Sequence, residues 1–442
     1  MKKTYHVWTE GCQMNVADSQ RVASALEQLE YSPVAKAEEA DVIVLNTCMV
    51  RQSAEDKAVG RLSSLKSLKK KNPDLVINVM GCMVGVKPSK KLKQRFPHVD
   101  VFSSPSDPRP LLSFLYERMG RDVEEIEMAE RFAWLDGDIR LPVEEQHDLV
   151  SALIPIMDGC SNCCTYCIIP SKRGREISRP PEHILNEAHA LVAQGVKEIT
   201  LLGQIVDRYG LDHEDYPRLS GLLRRLHQIE GLERIRFLTS HPNWLDEDLL
   251  YAVAELPKVM PHLEVPVQAG DDQVLEEMRR GYTADEFRRL IYRAREIIPN
   301  VSIGNDIIVG FPGETEEAFD HTVALIEELR LDVMHLARYS PRKGTISATR
   351  MEDDVTDEEK WRRFRVLEEL QEKISLEIHQ RWIGETTEVL FEALHKGRWR
   401  GRNPNNKLVF VESELDLKGK ILPVEIETVG AWSMVGRLFQ SD

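Results

Sequence analysis

The sequence predicts an α/β protein in three parts: an N-terminal parallel-sheet domain (residues 1–146), a central partial (β/α)6 barrel (147–380) and a small C-terminal β-barrel (381–442). Three observations predict it. Short apolar runs alternate with helically spaced segments over the first hundred residues and again from Leu149, which implies parallel strands joined by crossover helices. The second stretch holds six strand-helix units, enough for an open, incomplete barrel. The tail then changes to short, partly alternating runs separated by Gly, Pro and Asn, the rhythm of a small all-β barrel.

In the first part, candidate strands are Thr4 to Trp8, Asp41 to Leu45 and Leu75 to Met80, and each is followed by a cysteine: Cys12, Cys48 and Cys82. Ligands of parallel sheets sit beyond the carboxyl ends of the strands, so three thiols are expected to converge there. Three buried structural cysteines are the rival reading. Residues 101 to 146 read as a helix and an acidic connector, Asp136 to Asp148. Central strands are expected at Ser151 to Met157, Glu198 to Leu202, Arg234 to Thr239, His262 to Val267, Ser302 to Val309 and Asp332 to Tyr339. Helices are expected at Glu182 to Gln194, Glu247 to Ala254, Ala284 to Ile298 and Glu316 to Leu329. Barrel chemistry belongs at the strand C-termini, which carry Gly203-Gln204, Ser240-His241, Gln268 and Gly310-Phe311-Pro312-Gly313-Glu314. The last of these is either a cofactor neighbour or a structural strand-to-helix turn, and His241 and His335 read as structural. Helical segments from Thr356 to Ile383 lead to tail strands at Thr387 to Ala393, Lys407 to Glu412, Val424 to Thr428 and Met434 to Phe439.

Four of the seven cysteines fall in Cys160-Ser161-Asn162-Cys163-Cys164-Thr165-Tyr166-Cys167. So short a run cannot close an unstrained disulfide, whereas Cys160, Cys164 and Cys167 can wrap one face of an iron-sulfur cube and leave its fourth iron open. An open, low-potential iron is what binding and cleaving S-adenosylmethionine requires. Cys163 admits a second pattern, two abutting Cys-x2-Cys knuckles for zinc, although such knuckles normally stand roughly a dozen or more residues apart. Met1 to Glu10 lacks an apolar signal core, and no stretch approaches the roughly eighteen apolar residues of a membrane span. With an odd cysteine count, this leads to an expectation of cytoplasmic residence. The net charge of -15 argues against non-specific coating of nucleic acid while leaving room for a local basic patch.

The cysteine spacing, with Tyr166 before the third cysteine, resembles the signature of the radical-SAM superfamily. Thr9-Glu10-Gly11-Cys12-Gln13-Met14-Asn15, Leu45-Asn46-Thr47-Cys48 and Gly81-Cys82-Met83 resemble the N-terminal signature of the methylthiotransferases. Together with Arg173-Gly174-Arg175-Glu176 and a tail that looks like a TRAM domain, the likeness to the radical-SAM methylthiotransferase family spans nearly the whole chain. This resemblance implies two 4Fe-4S clusters. One, on Cys160, Cys164 and Cys167, cleaves S-adenosylmethionine to a 5'-deoxyadenosyl radical that takes hydrogen from adenosine. The other, on Cys12, Cys48 and Cys82, carries the sulfur, which a separate S-adenosylmethionine methylates before transfer. The family further implies S-adenosylmethionine contacts at Tyr166, Gln204 and Gln268, an electron donor such as flavodoxin or ferredoxin, and a monomer. For the two glutamines, a loop-capping amide is the rival reading. Leu201-Leu202-Gly203-Gln204, Gly401-Arg402-Asn403 and Asn406-Lys407-Leu408-Val409-Phe410 are similar to the branch that modifies C2 of N6-dimethylallyladenosine in the anticodon arm of prenylated tRNA. An aromatic C2-H offers neither an acidic proton nor a leaving group, so radical chemistry is the available route. Cys163, Ile205, Ala269 and Lys343 depart from the family pattern, and none of these removes a ligand.

In the tail, Lys396, Arg398, Arg400, Arg402 and Lys407 lie in a run without an acid, with Trp399 interleaved. On an acidic chain such a run suits RNA, cations meeting phosphates and Trp399 or an arginine stacking on a base; a solvated face is the alternative. Rival functions are a methylthiotransferase acting on threonylcarbamoyl-adenosine in tRNA or on a ribosomal-protein aspartate, and, in another class, a zinc-containing RNA-binding protein.

Overall fold

The computed structural model describes residues 3–50, 52–120 and 149–439. The acidic connector Asp136 to Asp148 and the 146/147 division lie outside the described residues. Among the described residues no helix is long and apolar enough to cross a membrane.

Strands β1 (Thr4–Thr9), β2 (Ser32–Pro33), β3 (Val42–Thr47), β4 (Val76–Gly81) and β5 (Val101–Ser103) form a parallel sheet in the order β2-β1-β3-β4-β5. Helices cover both of its faces, which is why β3 is an unbroken apolar run rather than an alternating one. Val42 and Val44 join the core under helices Gln13–Gln28 and Arg109–Arg118; Ile43 and Leu45 join the opposite core under Gln52–Lys71.

The central domain begins with β6 (Ser151–Pro155). A short antiparallel pair, β7 (Met157–Asp158) and β8 (Ile177–Ser178), then brackets the cysteine loop. Strands β9 (Glu198–Leu202), β10 (Arg234–Phe237), β11 (His262–Glu264), β12 (Ser302–Val309) and β13 (Val333–Arg338) follow. They pair in parallel as β6-β9-β10 and β11-β12-β13. The two halves join where Ile235 bridges Val259 and the Ser240 amide donates to Glu264 O at 2.9 Å. The result is the expected open barrel. Two strands end earlier than the apolar runs to Thr239 and Val267 suggest: β10 stops at Phe237, before Thr239 turns to φ 68°, and β11 stops at Glu264, pairing resuming only in an isolated bridge from Gln268, φ 76°, to Ile307.

The tail closes into a five-stranded barrel: β14 (Thr386–His395), β15 (Arg398–Arg402), β16 (Leu408–Val411), β17 (Ile421–Val429) and β18 (Met434–Leu438), ordered β14-β15-β16-β18-β17. Four of these were expected. The fifth, β15, is the basic run itself, where arginines at alternate positions mask the period of two. Trp399 enters the barrel core, and a Cβ at Gly401 would lie 2.4 Å from Leu390 O.

Two seams hold the parts together. Arg21 and Arg179 both reach Glu187 Oε2, at 3.1 and 2.7 Å, with all three side chains largely buried. Burial pushes the Glu187 carboxyl up, but the two guanidiniums more than offset it and hold it below the usual range. Beside them, Arg173 lies 3.2 Å from Asp18, and Ser106 Oγ donates to Asp18 at 2.7 Å. Met14 and Ala17 pack on Leu202, and Arg342 donates to Gln52 at 2.9 Å. At the other end of the central barrel, Arg234 donates to Arg402 O at 2.7 Å, and Arg236 donates to Asn403 O and Pro404 O, both at 2.9 Å. Replacing Glu187 with Leu would leave Arg21 and Arg179 buried without their shared ion-pair partner. The first unfolding transition is therefore expected to lose about 3–5 kcal/mol in denaturant titration, and an unmoved midpoint would show that the bridge contributes nothing.

Candidate active site

The N-terminal cysteines stand where parallel-sheet topology delivers them: Cys12 caps helix Gln13–Gln28, Cys48 follows β3 and Cys82 follows β4. Three polar residues of the same motifs knit their loops. Asn15 Nδ2 donates to Asn46 Oδ1 at 2.8 Å and to Thr47 O at 3.0 Å, while Cys12 Sγ donates to Asn15 Oδ1 at 3.2 Å. The Cys82 amide donates to Thr47 O at 2.9 Å, and Thr47 Oγ1 donates to Met80 O at 2.6 Å. Gly81 makes this last return possible: its φ is +93°, and a Cβ there would lie 2.5 Å from Thr47 O. Burial pushes the Cys82 thiol up, Arg173 opposes this, and Cys48 and Cys12 push it further. The three thiols thus sense one another.

The second triplet occupies the loop between β7 and β8. Gly159 enters it at φ +71°, where a Cβ would fall 2.0 Å from Arg175 O. Burial pushes the Cys167 thiol up to about 12, with Cys164 and Cys160 adding to it against the Ile169 amide and Arg280. Arg280 Nη1 lies 3.3 Å from Cys164 Sγ. Cys163 is exposed, its sulfur 4.0 Å from Ser161 O.

Cysteines of both triplets line one cavity of about 390 Å³. Cys12 and Cys82 line it from one domain, and Cys160, Cys164 and Cys167 from the other; Tyr166, Gln204 and Gln268 are also in its wall. Cys48 is buried behind, against Gly11. Among the described residues no group of His, Cys, Asp or Glu converges closely enough for a single ion. A cube asks for something different, since each of three thiolates binds its own iron at a separate corner. Two groups of three thiols, one with Arg173 beside Cys82 and the other with Arg280 beside Cys164, are a donor set that fits such a soft, iron-rich group.

Sequence reasoning missed Arg280 and the roles of Arg173, Asn15 and Asn46. Arg280 stands far from the cysteine motif in sequence, and only the fold carries it to Cys164. The Gly310–Glu314 segment does not line the cavity. Glu314 accepts from Gly310 N and pairs with Arg363 at 2.8 Å, while Phe311 packs edge-on against Tyr166, so the structural-turn reading holds.

The basic run needs correction. Lys407 is 4% exposed with Nζ 2.6 Å from Asp332, so it is spent on docking the small barrel, not offered to solvent. Arg402 is half-buried and donates to Asn406 O at 3.0 Å, and Trp399 is a core residue rather than a stacking platform. Lys396 is exposed; Arg398 lies 2.7 Å from Glu412 and Arg400 3.6 Å from Glu392.

Comparison with known proteins agrees with this architecture. Family models described as the Radical SAM superfamily, Uncharacterized protein family UPF0004 and the TRAM domain match residues 154–326, 4–104 and 380–439. A tRNA-2-methylthio-N(6)-dimethylallyladenosine synthase of Roseiflexus sp. (strain RS-1) is 46% identical over 446 residues, covering 100% of this chain and 90% of the relative. The protein of the same name in Herpetosiphon aurantiacus is 46% identical over 442 residues, covering 99% and 98%. Among solved structures, the radical S-adenosylmethionine methyltransferase TsrM from Kitasatospora setae, with cobalamin and a 4Fe-4S cluster bound, superposes with a TM-score of 0.59 at 15% identity. That match covers 90% of this chain and 81% of TsrM, and it speaks for the fold alone. Identity of this order over whole chains, joined to the three matched domains, means that the chain belongs to the radical-SAM methylthiotransferase family, alongside the tRNA-2-methylthio-N(6)-dimethylallyladenosine synthases.

Proposed function

We propose that this enzyme adds a methylthio group to C2 of N6-dimethylallyladenosine in tRNA by S-adenosylmethionine-dependent radical chemistry. The observation that carries the reading is the single cavity lined from both sides by cysteines of two triplets. Cys160, Cys164 and Cys167 would hold a 4Fe-4S cluster, and Cys12, Cys48 and Cys82 a second one. When bound, these groups supply radical initiation from S-adenosylmethionine and the sulfur to be transferred.

The chain's own residues do the positioning. Asn15, Asn46 and Thr47 hold the N-terminal thiol loops in register. Arg173 and Arg280 bring positive charge to the two triplets, Arg173 opposing the upward push of burial on Cys82 and Arg280 that on Cys167. Met14, Leu202 and Leu238 form an apolar seam beside the cavity that keeps water from a reactive radical. We retain the divisions 1–146, 147–380 and 381–442; the second is supported by helix Asp357–Gln380, which ends where the TRAM match begins. A low-potential donor such as flavodoxin or ferredoxin would supply electrons, and the chain would act as a monomer.

The direct test is mass spectrometry of nucleosides from tRNA of a deletion strain. Loss of 2-methylthio-N6-dimethylallyladenosine, with the prenylated precursor accumulating, is expected; an unchanged profile, or loss of a threonylcarbamoyl derivative instead, contradicts the substrate.

Anaerobically reconstituted enzyme should hold about eight irons as two cubes. Replacing Cys12, Cys48 and Cys82 together with Ala should leave about four and preserve S-adenosylmethionine cleavage, whereas Cys163→Ala should lose none, because Cys163 is exposed and is not among the residues that line the cavity. Cleavage lost with iron unchanged would sink this division of roles.

For the tail, neutralising Arg398 and Arg400 is expected to weaken tRNA binding and to lower its salt slope by about one to two units. Lys407→Ala should leave the slope alone and lower the melting temperature, since it breaks a buried docking pair.

A further inference from the structure

The turn Thr239–Ser240–His241 follows β10 and enters the cavity wall between the candidate cluster loop and Gln268. Thr239 sits at φ 68°, a left-handed conformation that a β-branched residue reaches only under strain. Three backbone bonds enforce it. The Val206 amide donates to Thr239 O at 3.1 Å, the Ser240 amide to Glu264 O at 2.9 Å, and the His241 amide to the buried Asp207 Oδ2 at 2.8 Å.

What the strain delivers is two polar atoms with nothing to bind. Ser240 is 2% and His241 3% exposed, both line the cavity, and neither Ser240 Oγ nor His241 Nε2 has a hydrogen-bond partner among the described residues. Buried polar groups are nearly always satisfied, so two orphans on adjacent residues of one strained turn in a cavity wall point to a ligand. The tautomer follows from geometry: His241 Nδ1 accepts from the Asn243 amide at 3.3 Å, which leaves the proton on Nε2. Burial, Arg280 and Arg208 push the imidazole down to about 3, so it remains a neutral donor at physiological pH.

We propose that Ser240 and His241 form a positioning subsite for S-adenosylmethionine, His241 donating from Nε2 and Ser240 from its hydroxyl to acceptor atoms of the adenosyl or methionyl group. The turn belongs to the cluster side of the cavity: Trp244, three residues on, packs with Cys160, Ile169 and Ile205, and Arg280 next to Cys164 is a charged neighbour of His241. The target adenosine could satisfy the same donors, and the binding measurements below separate the two sources.

This inference rests on the proposed function. The experiment measures S-adenosylmethionine binding to the reconstituted enzyme by equilibrium dialysis, with iron content as the folding check. The S-adenosylmethionine-induced change in the electron paramagnetic resonance of the reduced cluster and the affinity for unmodified tRNA are recorded in parallel. His241→Leu, which keeps volume and removes the donor, should weaken binding about tenfold and diminish the spectral change. His241→Gln, whose amide restores a donor near the Nε2 position, should recover most of both, and Ser240→Ala should show a smaller loss. Iron content and tRNA affinity should stay at wild-type values. Unchanged S-adenosylmethionine affinity in His241→Leu and Ser240→Ala, or a loss confined to tRNA, overturns the subsite while leaving the proposed function intact. Wild-type enzyme that binds neither iron nor S-adenosylmethionine overturns both.

Discussion

The buried bridge from Arg21 and Arg179 to Glu187, with Asp18–Arg173 beside it, is the interaction on which the rest depends. It joins helix Gln13–Gln28, whose first turn carries Cys12, to the segment that leaves the second cysteine loop. Charges this buried are costly unless paired, and the penalty for separating them is steep. That steepness is what such a seam requires. An apolar contact tolerates sliding, whereas a shared carboxylate oxygen fixes the two guanidiniums to within a hydrogen bond. The spacing of the two cysteine triplets is thereby held by charged pairs between the two domains, and one of their members, Arg173, reaches on to Cys82.

The central barrel is graded along its axis. At the floor, Glu198 pairs with Arg236 at 2.9 Å, and Arg234 and Arg236 meet carbonyls of the small barrel's 402–404 stretch. Asn405, Asn406 and Lys407 add bonds to Asn300 O, His262 and Asp332. Higher up, Leu202 and Leu238 form an apolar belt, and the thiols, glutamines and the Ser240–His241 turn stand above it. Residues two apart along extended chain share a face, so Glu198 and Leu202 of β9, or Arg236 of β10 and Leu238 just beyond it, report this gradient directly. An open barrel whose interior is polar at the bottom must be closed by something that satisfies those groups, and here that stopper belongs to the C-terminal domain.

This explains what the sequence showed and what it hid. Strands β3, β4 and β9 and the Cys48, Cys82 and Gln204 that follow them were legible because apolar runs and strand-end position are local signals. The basic run Lys396 to Lys407 was legible as charge but not as structure. Arginine at every second position is equally consistent with a solvated loop, and only the register of β15 against β14 and β16 shows that Trp399 is core. Lys407 and the asparagines before it resembled a substrate-side signature, yet their side chains are taken up by the barrel floor. A pattern can mark a branch of a family by how its domains dock.

The same distinction bears on the residues around the thiols. Cysteines announce themselves through spacing, but Arg173, at the end of helix Ile169–Arg173, and Arg280, in a turn of the central domain, reach them only through the fold. Their worth comes from low polarity: a guanidinium near a buried thiolate in a half-enclosed cavity acts through far less screening than on the surface. Strain follows the same logic. Thr239 and Gln268 hold left-handed backbone in a wall where neighbouring strands supply enough hydrogen bonds to enforce it. Local sequence cannot reveal such positions, because their conformation runs against local preference. They arise only where the surrounding fold is stable enough to impose a geometry that the segment alone would not adopt, which is the condition under which a binding surface can be built before its ligand arrives.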